Sequence, residues 1–281
     1  MSRMRPEIHG SPDTPSHCIV WRSGAAMLAD EELDRYARHI VLPHVGAAGQ
    51  VRIKAARVLV IGAGGIGSAV IPALAAAGVG MLRIADDDAV SLSNLQRQTL
   101  FSTADVGRLK VAVAAERIAE LNPHVTVETV EVRVNAANLP ALLDGVDLVI
   151  DGSDNFATRL AVSDAATTAR VPLISAAIAQ FHGQVGTFRG WEADKPCYRC
   201  FVGDALDPDE CDSCAEQGVL GAMVAMIGGF AAMEALRQIA GFGEDGAGKL
   251  HIIDGLAPAW RTIRLPKDAG CFACGGDARA K

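Results

Sequence analysis

Residues 57 to 67 read Arg57-Val58-Leu59-Val60-Ile61-Gly62-Ala63-Gly64-Gly65-Ile66-Gly67. The apolar run 58–61 predicts a buried strand, and the Gly-x-Gly-x-x-Gly pattern after it predicts a tight loop that opens a helix. Glycine at Gly62, Gly64, Gly65 and Gly67 lets the backbone approach a phosphate, whose charge is favoured by the N–H groups and dipole of the helix start. The stretch therefore predicts a nucleotide site. It does not say which nucleotide, because NAD enzymes use the same fingerprint.

Apolar runs and helical patterns alternate along the chain from this loop onward. Strands are predicted at 57–62, 81–85, 125–132, 147–151 and 172–175, and helices at 65–77, 108–121, 139–143 and 155–169. Such repetition is typical of a doubly wound, Rossmann-like α/β fold with a mostly parallel sheet and ligands at the carboxyl ends of the strands. Three further elements are a short helix at 30–40, a buried helix at 219–240 and an antiparallel C-terminal extension of strands at 183–189, 249–254 and 260–265.

Composition limits the kinds of partner. The 281 residues are 50% hydrophobic and carry a formal net charge of -7, which allows one large domain and argues against a general nucleic-acid surface. Residues 1–26 are polar and are expected to form a mobile N-terminal extension before a single domain at 27–281. They contain no run apolar enough for a secretion signal, and the uncharged stretch 217–233 is short for a membrane span. We expect a cytoplasmic protein without a membrane partner.

A second motif extends the phosphate site. Asn94 and Arg97 lie in the segment Ser93-Asn94-Leu95-Gln96-Arg97-Gln98, about thirty residues after the glycine loop. Asp86 follows the second predicted strand at the spacing expected for a contact to a ribose hydroxyl. The run 86–88 places carboxylates beside a phosphate, which requires nearby cations such as Arg97 and Lys110. Together the two motifs predict a site that breaks a phosphate bond.

The motifs, taken in order, resemble those of the MoeB/ThiF family, the bacterial relatives of ubiquitin-activating enzymes. The resemblance runs from about Asp30 to Cys274. It covers the segments 35–38, 62–67, 86–90, 93–98, 106–110, 151–155, 196–200, 214–219 and 271–274. It implies an ATP-binding adenylyltransferase that joins ATP to the C-terminal glycine of a small ubiquitin-like sulfur-carrier protein, giving an acyl-adenylate and pyrophosphate. The product would feed sulfur transfer in a pathway of the molybdopterin or thiamin type.

The resemblance also implies roles for individual residues. Arg97 and Lys110 would neutralise charge on the phosphates, and Asn94 would orient phosphate oxygens. Asp154 matches the family position that holds Mg²⁺, although it could instead cap the helix that begins near residue 155. Arg38 would reach into the site of the neighbouring subunit, so that only a homodimer is complete. An ordinary exposed helix arginine is the alternative for Arg38.

Cysteines form three Cys-x-x-Cys pairs, Cys197/Cys200, Cys211/Cys214 and Cys271/Cys274. Two such pairs suit a tetrahedral Zn²⁺ ion. The resemblance implies that the first and last pairs share the zinc and that Cys214 stays free as a candidate for sulfur transfer. Cys211 departs from the family pattern, and it could form a disulfide with Cys214, compete for zinc or be a bystander.

Several other functions stay open from the sequence. A related branch of the family modifies tRNA, the glycine loop with Asp86 also fits an NAD-dependent oxidoreductase, and a scaffold could bind a carrier without catalysis. The chain ends just after Cys274 with no rhodanese-like domain, so the sulfur donor is expected to be a separate protein.

Overall fold

The computed structural model describes residues 27–203 and 218–275, which build one eight-stranded sheet with helices on both faces. The strands are β1 Arg57–Ile61, β2 Met81–Ala85, β3 Thr126–Val130, β4 Leu148–Asp151, β5 Leu173–Ala179, β6 His182–Phe188, β7 Lys249–Asp254 and β8 Ala259–Arg264. Their order across the sheet is β3-β2-β1-β4-β5-β6-β7-β8. Pairing is parallel from β3 to β5 and antiparallel from β5 to β8, which confirms the predicted fold class.

Helices cover the two faces of the sheet. They are α1 Asp30–Arg35, α2 Ala37–Ile40, α3 Gly46–Ala55, α4 Gly65–Ala77, α5 Lys110–Leu121, α6 Leu139–Leu143, α7 Phe156–Ala169, α8 Tyr198–Val202 and α9 Gly221–Ala240. Alternate residues of β1 point to opposite faces, so Val58 and Val60 join the core beneath α3, α4, α5 and α9. Leu59 and Ile61 join the core beneath α6, α7 and α8. Burial on both faces explains why this strand is apolar at every one of these positions.

Some boundaries differ from the sequence expectation. The helix predicted at 30–40 is divided at Tyr36, and the helix expected from residue 108 begins at Lys110. Strand β5 runs on to Ala179, four residues beyond its predicted end. Helix α3 was not predicted at all.

Tertiary contacts hold α3, because its glycines are weak helix formers. The Gln50 amide donates to the Ala77 carbonyl at 2.8 Å, and the Arg52 Nε donates to the Ala240 carbonyl at 3.1 Å. These bonds tie α3 to the ends of α4 and α9. Local sequence alone therefore carried little signal for this helix.

Helix α9 is the one helix within 27–203 and 218–275 that is long and apolar enough to cross a membrane, judged by length and composition. In this fold it packs against α4, where a Cβ on Gly228 would lie only 2.6 Å from the Ala69 Cβ. The expectation of a buried helix at this position is confirmed, since residues such as Ile227, Ala231 and Ala235 are fully buried.

Candidate active site

The phosphate loop lies where β1 turns into α4. Gly62 has a φ of 84°, which side-chain-bearing residues rarely adopt. A Cβ on Gly67 would lie 2.0 Å from the Gly62 carbonyl oxygen, so only glycine lets the helix sit this close to the loop. No side chain caps α4 at Gly64, which leaves the first N–H groups of the helix available to an anion.

A cavity of about 310 Å³ opens above this loop, at the carboxyl ends of β1, β2, β4 and β5. The order of strands reverses between β1 and β4, and such a switch point is where α/β sheets bind ligands. Eight of the predicted site residues line the cavity: Gly62, Gly64, Gly65, Asp86, Asn94, Arg97, Lys110 and Asp154. Gly67 lies below it and acts through the close packing of loop and helix.

Asp86 and Asp88 both line the cavity, as the period of two along a strand predicts. The Asp86 carboxylate accepts hydrogen bonds from the backbone N–H of Ala63 at 2.7 Å and of Asp88 at 2.8 Å. Burial raises the pKa of Asp86, and Lys110 and these two backbone donors oppose the rise. Lys110 is 4% exposed and forms an ion pair with Asp88 at 2.6 Å. The cavity thus contains a buried lysine that forms a short ion pair with an exposed carboxylate.

Asn94 and Arg97 approach the cavity from a loop that runs past the start of α9. The Asn94 side chain accepts a hydrogen bond from the Ser91 N–H at 3.3 Å, and the Arg97 guanidinium donates to the Ser93 carbonyl at 3.1 Å. A Cβ on Gly221 would lie 2.3 Å from the Gln96 carbonyl oxygen, so α9 closes directly on this loop. Arg97 keeps donors that this single contact does not use.

Asp154 lines the cavity on an exposed loop between β4 and α7. The cap of α7 is the neighbouring Asn155, whose side chain accepts from the Thr158 N–H at 2.8 Å. The alternative role of Asp154 as the helix cap is therefore wrong. Its carboxylate makes no hydrogen bond to the residues that the structure describes. A free carboxylate at the edge of a phosphate cavity fits a Mg²⁺ ion that is held by few protein ligands and several waters.

Apart from Gly67 and the cysteine ligands, Arg38 is the one predicted site residue among the described residues that does not line this cavity. Arg38 lies exposed on α2 and is not among the lining residues, and its role across a subunit boundary stays a prediction. Cys214 and Cys211 lie outside the described residues, as does the extension 1–26. Other residues that line the cavity, such as Ser153, Arg159 and Val224, were not predicted as site residues.

Four cysteines from two distant segments meet near the end of the described chain. The Sγ atoms of Cys197, Cys200, Cys271 and Cys274 all lie within 4.8 Å of one another. Three pairs are 3.9, 3.6 and 3.4 Å apart. Sulfurs in a tetrahedral zinc site with Zn–S bonds near 2.3 Å stand about 3.8 Å apart, so the donor set and spacing fit zinc. The cluster joins the first and last pairs, as the resemblance implied.

Hydrogen bonding within the cluster favours a thiolate. The contact with Cys197 lowers the pKa of the Cys200 thiol to about 5, and burial raises the pKa of Cys274 to about 11. One thiol therefore gives up its proton most easily and is stabilised by its neighbours. A thiolate is the form of cysteine that binds metals.

A second cavity of about 450 Å³ is larger but less convincing as a reaction site. It lies where α9 ends beside β7 and β8. Its Lys249 already pairs with Glu244 at 2.7 Å, and its Arg237 lies 3.3 Å from Glu234. None of the predicted site residues that the structure describes lines it.

The first cavity has the chemistry of a polyphosphate site. Its groups are backbone N–H donors, the three cations Arg97, Lys110 and Arg159, and a free carboxylate at Asp154, and among the described residues that line it there is no His and no Cys. It can therefore bind a nucleotide and stabilise charge that moves to the phosphates.

Comparison with known proteins agrees with this geometry. The model of the ThiF family matches residues 36–273. The sulfur carrier protein adenylyltransferase of Thermus thermophilus is 44% identical over 250 residues, which are 88% of this chain and 92% of that protein. The molybdopterin-synthase adenylyltransferase of Salmonella typhimurium is 41% identical over 89% of this chain and 99% of that protein. The sulfur carrier protein ThiS adenylyltransferase of Escherichia coli is 38% identical over 88% and 97%.

Solved structures support the fold. A crystal structure of E. coli MccB with MccA-N7isoASN matches with a TM-score of 0.77 over 86% of this chain and 75% of that one, at 21% identity. The resemblance inferred from the motifs is therefore confirmed. The chain belongs to the ThiF family.

Proposed function

We propose that this protein uses ATP to adenylate the C-terminal glycine carboxylate of a small ubiquitin-like sulfur-carrier protein, ahead of sulfur transfer. The observation that carries the proposal is the content of the first cavity. Two cations, Arg97 and Lys110, and one free carboxylate, Asp154, line the same space above the phosphate loop. In a member of the ThiF family this combination suits attack on the α-phosphorus of ATP.

The reaction needs no general base from the protein. A C-terminal carboxylate is ionised at neutral pH, because free carboxyl groups have pKa values near 3.5. One carboxylate oxygen forms a bond to the α-phosphorus, the bond from that phosphorus to the oxygen bridging to the β-phosphate breaks, and pyrophosphate leaves with the electron pair. The absence of His and Cys among the described lining residues fits this chemistry.

The protein's part is to hold the nucleotide and offset charge. Asp86 would contact the ribose hydroxyl, and the loop at Gly64 would offer N–H groups to the phosphates. Lys110, which now pairs with Asp88, would exchange that ion pair for a phosphate oxygen. Arg97 stabilises charge on the reacting phosphate. Mg²⁺, held by Asp154, would add a further positive charge against the phosphates.

Other parts of the protein would act outside the adenylation step. Zn²⁺ in the cluster of Cys197, Cys200, Cys271 and Cys274 would stabilise the fold. Arg38 would complete the site of a second copy in a homodimer, and Cys214 would receive sulfur from a separate donor protein. The carrier would be a protein that ends in Gly-Gly, of the kind used for molybdopterin or thiamin.

Carrier-dependent exchange of labelled pyrophosphate into ATP tests the proposal. We expect exchange only with a carrier that ends in Gly-Gly, and mass spectrometry should detect the carrier acyl-adenylate. The same carrier without its last two glycines is the control. No exchange with any encoded carrier ending in Gly-Gly, together with adenylation of a tRNA, would replace the proposal with a tRNA-modifying function.

A further inference from the structure

Arg159 is a buried cation at the edge of the active-site cavity. It lies in the first turn of α7 and is only 8% exposed. A positive side chain is unfavourable there, since the start of a helix carries the positive end of its dipole. Burial adds a further cost unless the guanidinium is well hydrogen-bonded. Its contacts should therefore explain why an arginine is placed here.

The guanidinium joins two walls of the cavity. Its Nη1 donates to the Ser175 hydroxyl at 3.1 Å, and its Nη2 donates to the Ala176 carbonyl at 2.9 Å and to the Ser153 carbonyl. Strand β4 ends at Asp151, which pairs with Ser175, while β5 continues past that point. Arg159 thus takes up the Ala176 carbonyl where the parallel pairing has ended, and it ties the loop after β4 to β5.

The loop 152–154 is fixed at its other contacts as well. The Ser153 N–H donates to the Asp151 carboxylate at 2.9 Å, and Asn155 caps the helix that follows. In contrast, the Ser153 hydroxyl oxygen is buried without a hydrogen bond, and the Asp154 carboxylate is free. Hydrogen bonds thus fix the backbone of the loop, while the side chains of Ser153 and Asp154 remain available to a ligand. This is the arrangement of a preorganised ligand site.

We propose that Arg159 is a positioning residue, which fixes the loop 152–154 and so aims the Asp154 carboxylate at the Mg²⁺ of the bound nucleotide. The proposal rests on one part of the proposed function, the binding of ATP with Mg²⁺. It does not depend on which carrier protein is adenylated. It predicts that Arg159 affects nucleotide binding through Asp154. A direct contact of Arg159 with the phosphates would have a different signature, because it would not depend on the metal.

Binding of a nonhydrolysable ATP analogue, measured by calorimetry, distinguishes these possibilities. Arg159→Lys keeps the charge but cannot reach three oxygens at once. We expect it to weaken binding by about tenfold with Mg²⁺ present and by less than about twofold in magnesium-free buffer. In an Asp154→Ala background it should add less than about twofold, since the two residues act on one step.

Two further variants keep the result interpretable. Arg133→Lys is the matched control, because Arg133 is exposed and lies outside the cavity, and it should leave binding unchanged. Ser175→Ala removes one acceptor of Arg159 and should reproduce the Mg²⁺-dependent loss at about two- to threefold, even if Arg159→Lys does not fold.

Equal weakening with and without Mg²⁺, or full additivity with Asp154→Ala, would overturn the positioning role. The assay contains no carrier. A failure of carrier adenylation would therefore not alter its result, and the two proposals fail separately.

Discussion

The active-site cavity and the cysteine cluster are assembled in opposite ways. The cavity gathers unlike groups from the ends of four strands, and it leaves a carboxylate at Asp154 and a buried hydroxyl at Ser153 without hydrogen bonds. The cluster gathers four like groups from two short segments, and its sulfurs contact mainly one another. Free groups facing an open cavity indicate a site that binds and releases ligands. A closed set of four thiols is compatible with a structural metal site.

Helix α7 connects the two regions. At its first turn it carries Arg159, beside the cavity, and further along it contacts α8, which begins after Cys197. The Arg199 guanidinium forms hydrogen bonds to both oxygens of Asp164 at 2.7 and 2.8 Å. The cysteine cluster therefore lies near the part of α7 that carries Asp164, while the first turn of α7 borders the cavity.

Disruption of the cysteine cluster should have the largest effect, and this effect should be on the stability of the fold. Cys271→Ser removes one ligand of the cluster, and we expect it to abolish zinc binding and to cost several kcal/mol of folding free energy. Zinc content by mass spectrometry and thermal unfolding measure the two effects. Binding of the ATP analogue at low temperature should change less than about threefold, because the cluster lies behind α7.

Cys18→Ser is the control for the cysteine substitution, since Cys18 belongs to none of the three Cys-x-x-Cys pairs of the sequence. It should retain zinc and melt like the unaltered protein. If Cys271→Ser keeps its zinc and its melting temperature, the cluster is not a structural metal site.

Removal of a cavity cation should show the reverse pattern. Arg97→Ala deletes a half-buried guanidinium that, within the described residues, donates one hydrogen bond, to a carbonyl of its own loop. We expect carrier-dependent pyrophosphate exchange to fall by about 10²- to 10³-fold, because the charge developing on the phosphates loses a fixed donor. The melting temperature without ligand should stay nearly constant.

Arg133→Ala provides the matched control for a lost surface arginine, and its exchange rate should be unchanged. A variant Arg97→Ala that keeps full exchange would favour a non-catalytic scaffold. One that melts far below the unaltered protein would show that Arg97 is mainly structural.

Sequence patterns predicted these two regions unequally. Glycine spacing and the segment 93–98 identified most of the cavity, because phosphate binding requires those residue types at fixed intervals. Arg159 was not predicted, because an arginine in the first turn of a helix has no distinctive sequence pattern. Its role depends on contacts with Ser153 and Ser175, which only the fold brings close to it. The pairing of the cysteines came from the family resemblance, because spacing alone allowed three combinations.

The fold shows the same division. Apolar runs located every strand, but the end of β5 was missed because its last residues are mostly alanines with little strand preference. Helix α3 was missed because bonds to distant carbonyls, such as the one from Gln50 to Ala77, stabilise it.

Glu234 tests whether an unsatisfied polar group by itself indicates function. Both carboxylate oxygens are buried without a hydrogen bond, and the side chain is fully buried in α9. Arg237 is 3.3 Å away, in a geometry that forms no hydrogen bond. Glu234 lines neither cavity. Its burial therefore lowers the stability of the fold, and no ligand bound in a cavity can offset this loss.

The pH dependence of stability gives the smallest of these predictions. Burial raises the pKa of Glu234, and Asp245 adds to the rise, while Arg237 and Lys249 oppose it. An acid whose folded pKa is raised contributes stability below its unfolded pKa and loses that contribution as pH rises through the folded value. Glu234→Gln should therefore melt with the unaltered protein near pH 4 and a few degrees above it at neutral pH. Glu234→Gln should not change the rate of pyrophosphate exchange, because Glu234, unlike Ser153 and Asp154, does not line the cavity. A fall in exchange at unchanged stability would instead tie Glu234 to the active site, although it lines neither cavity.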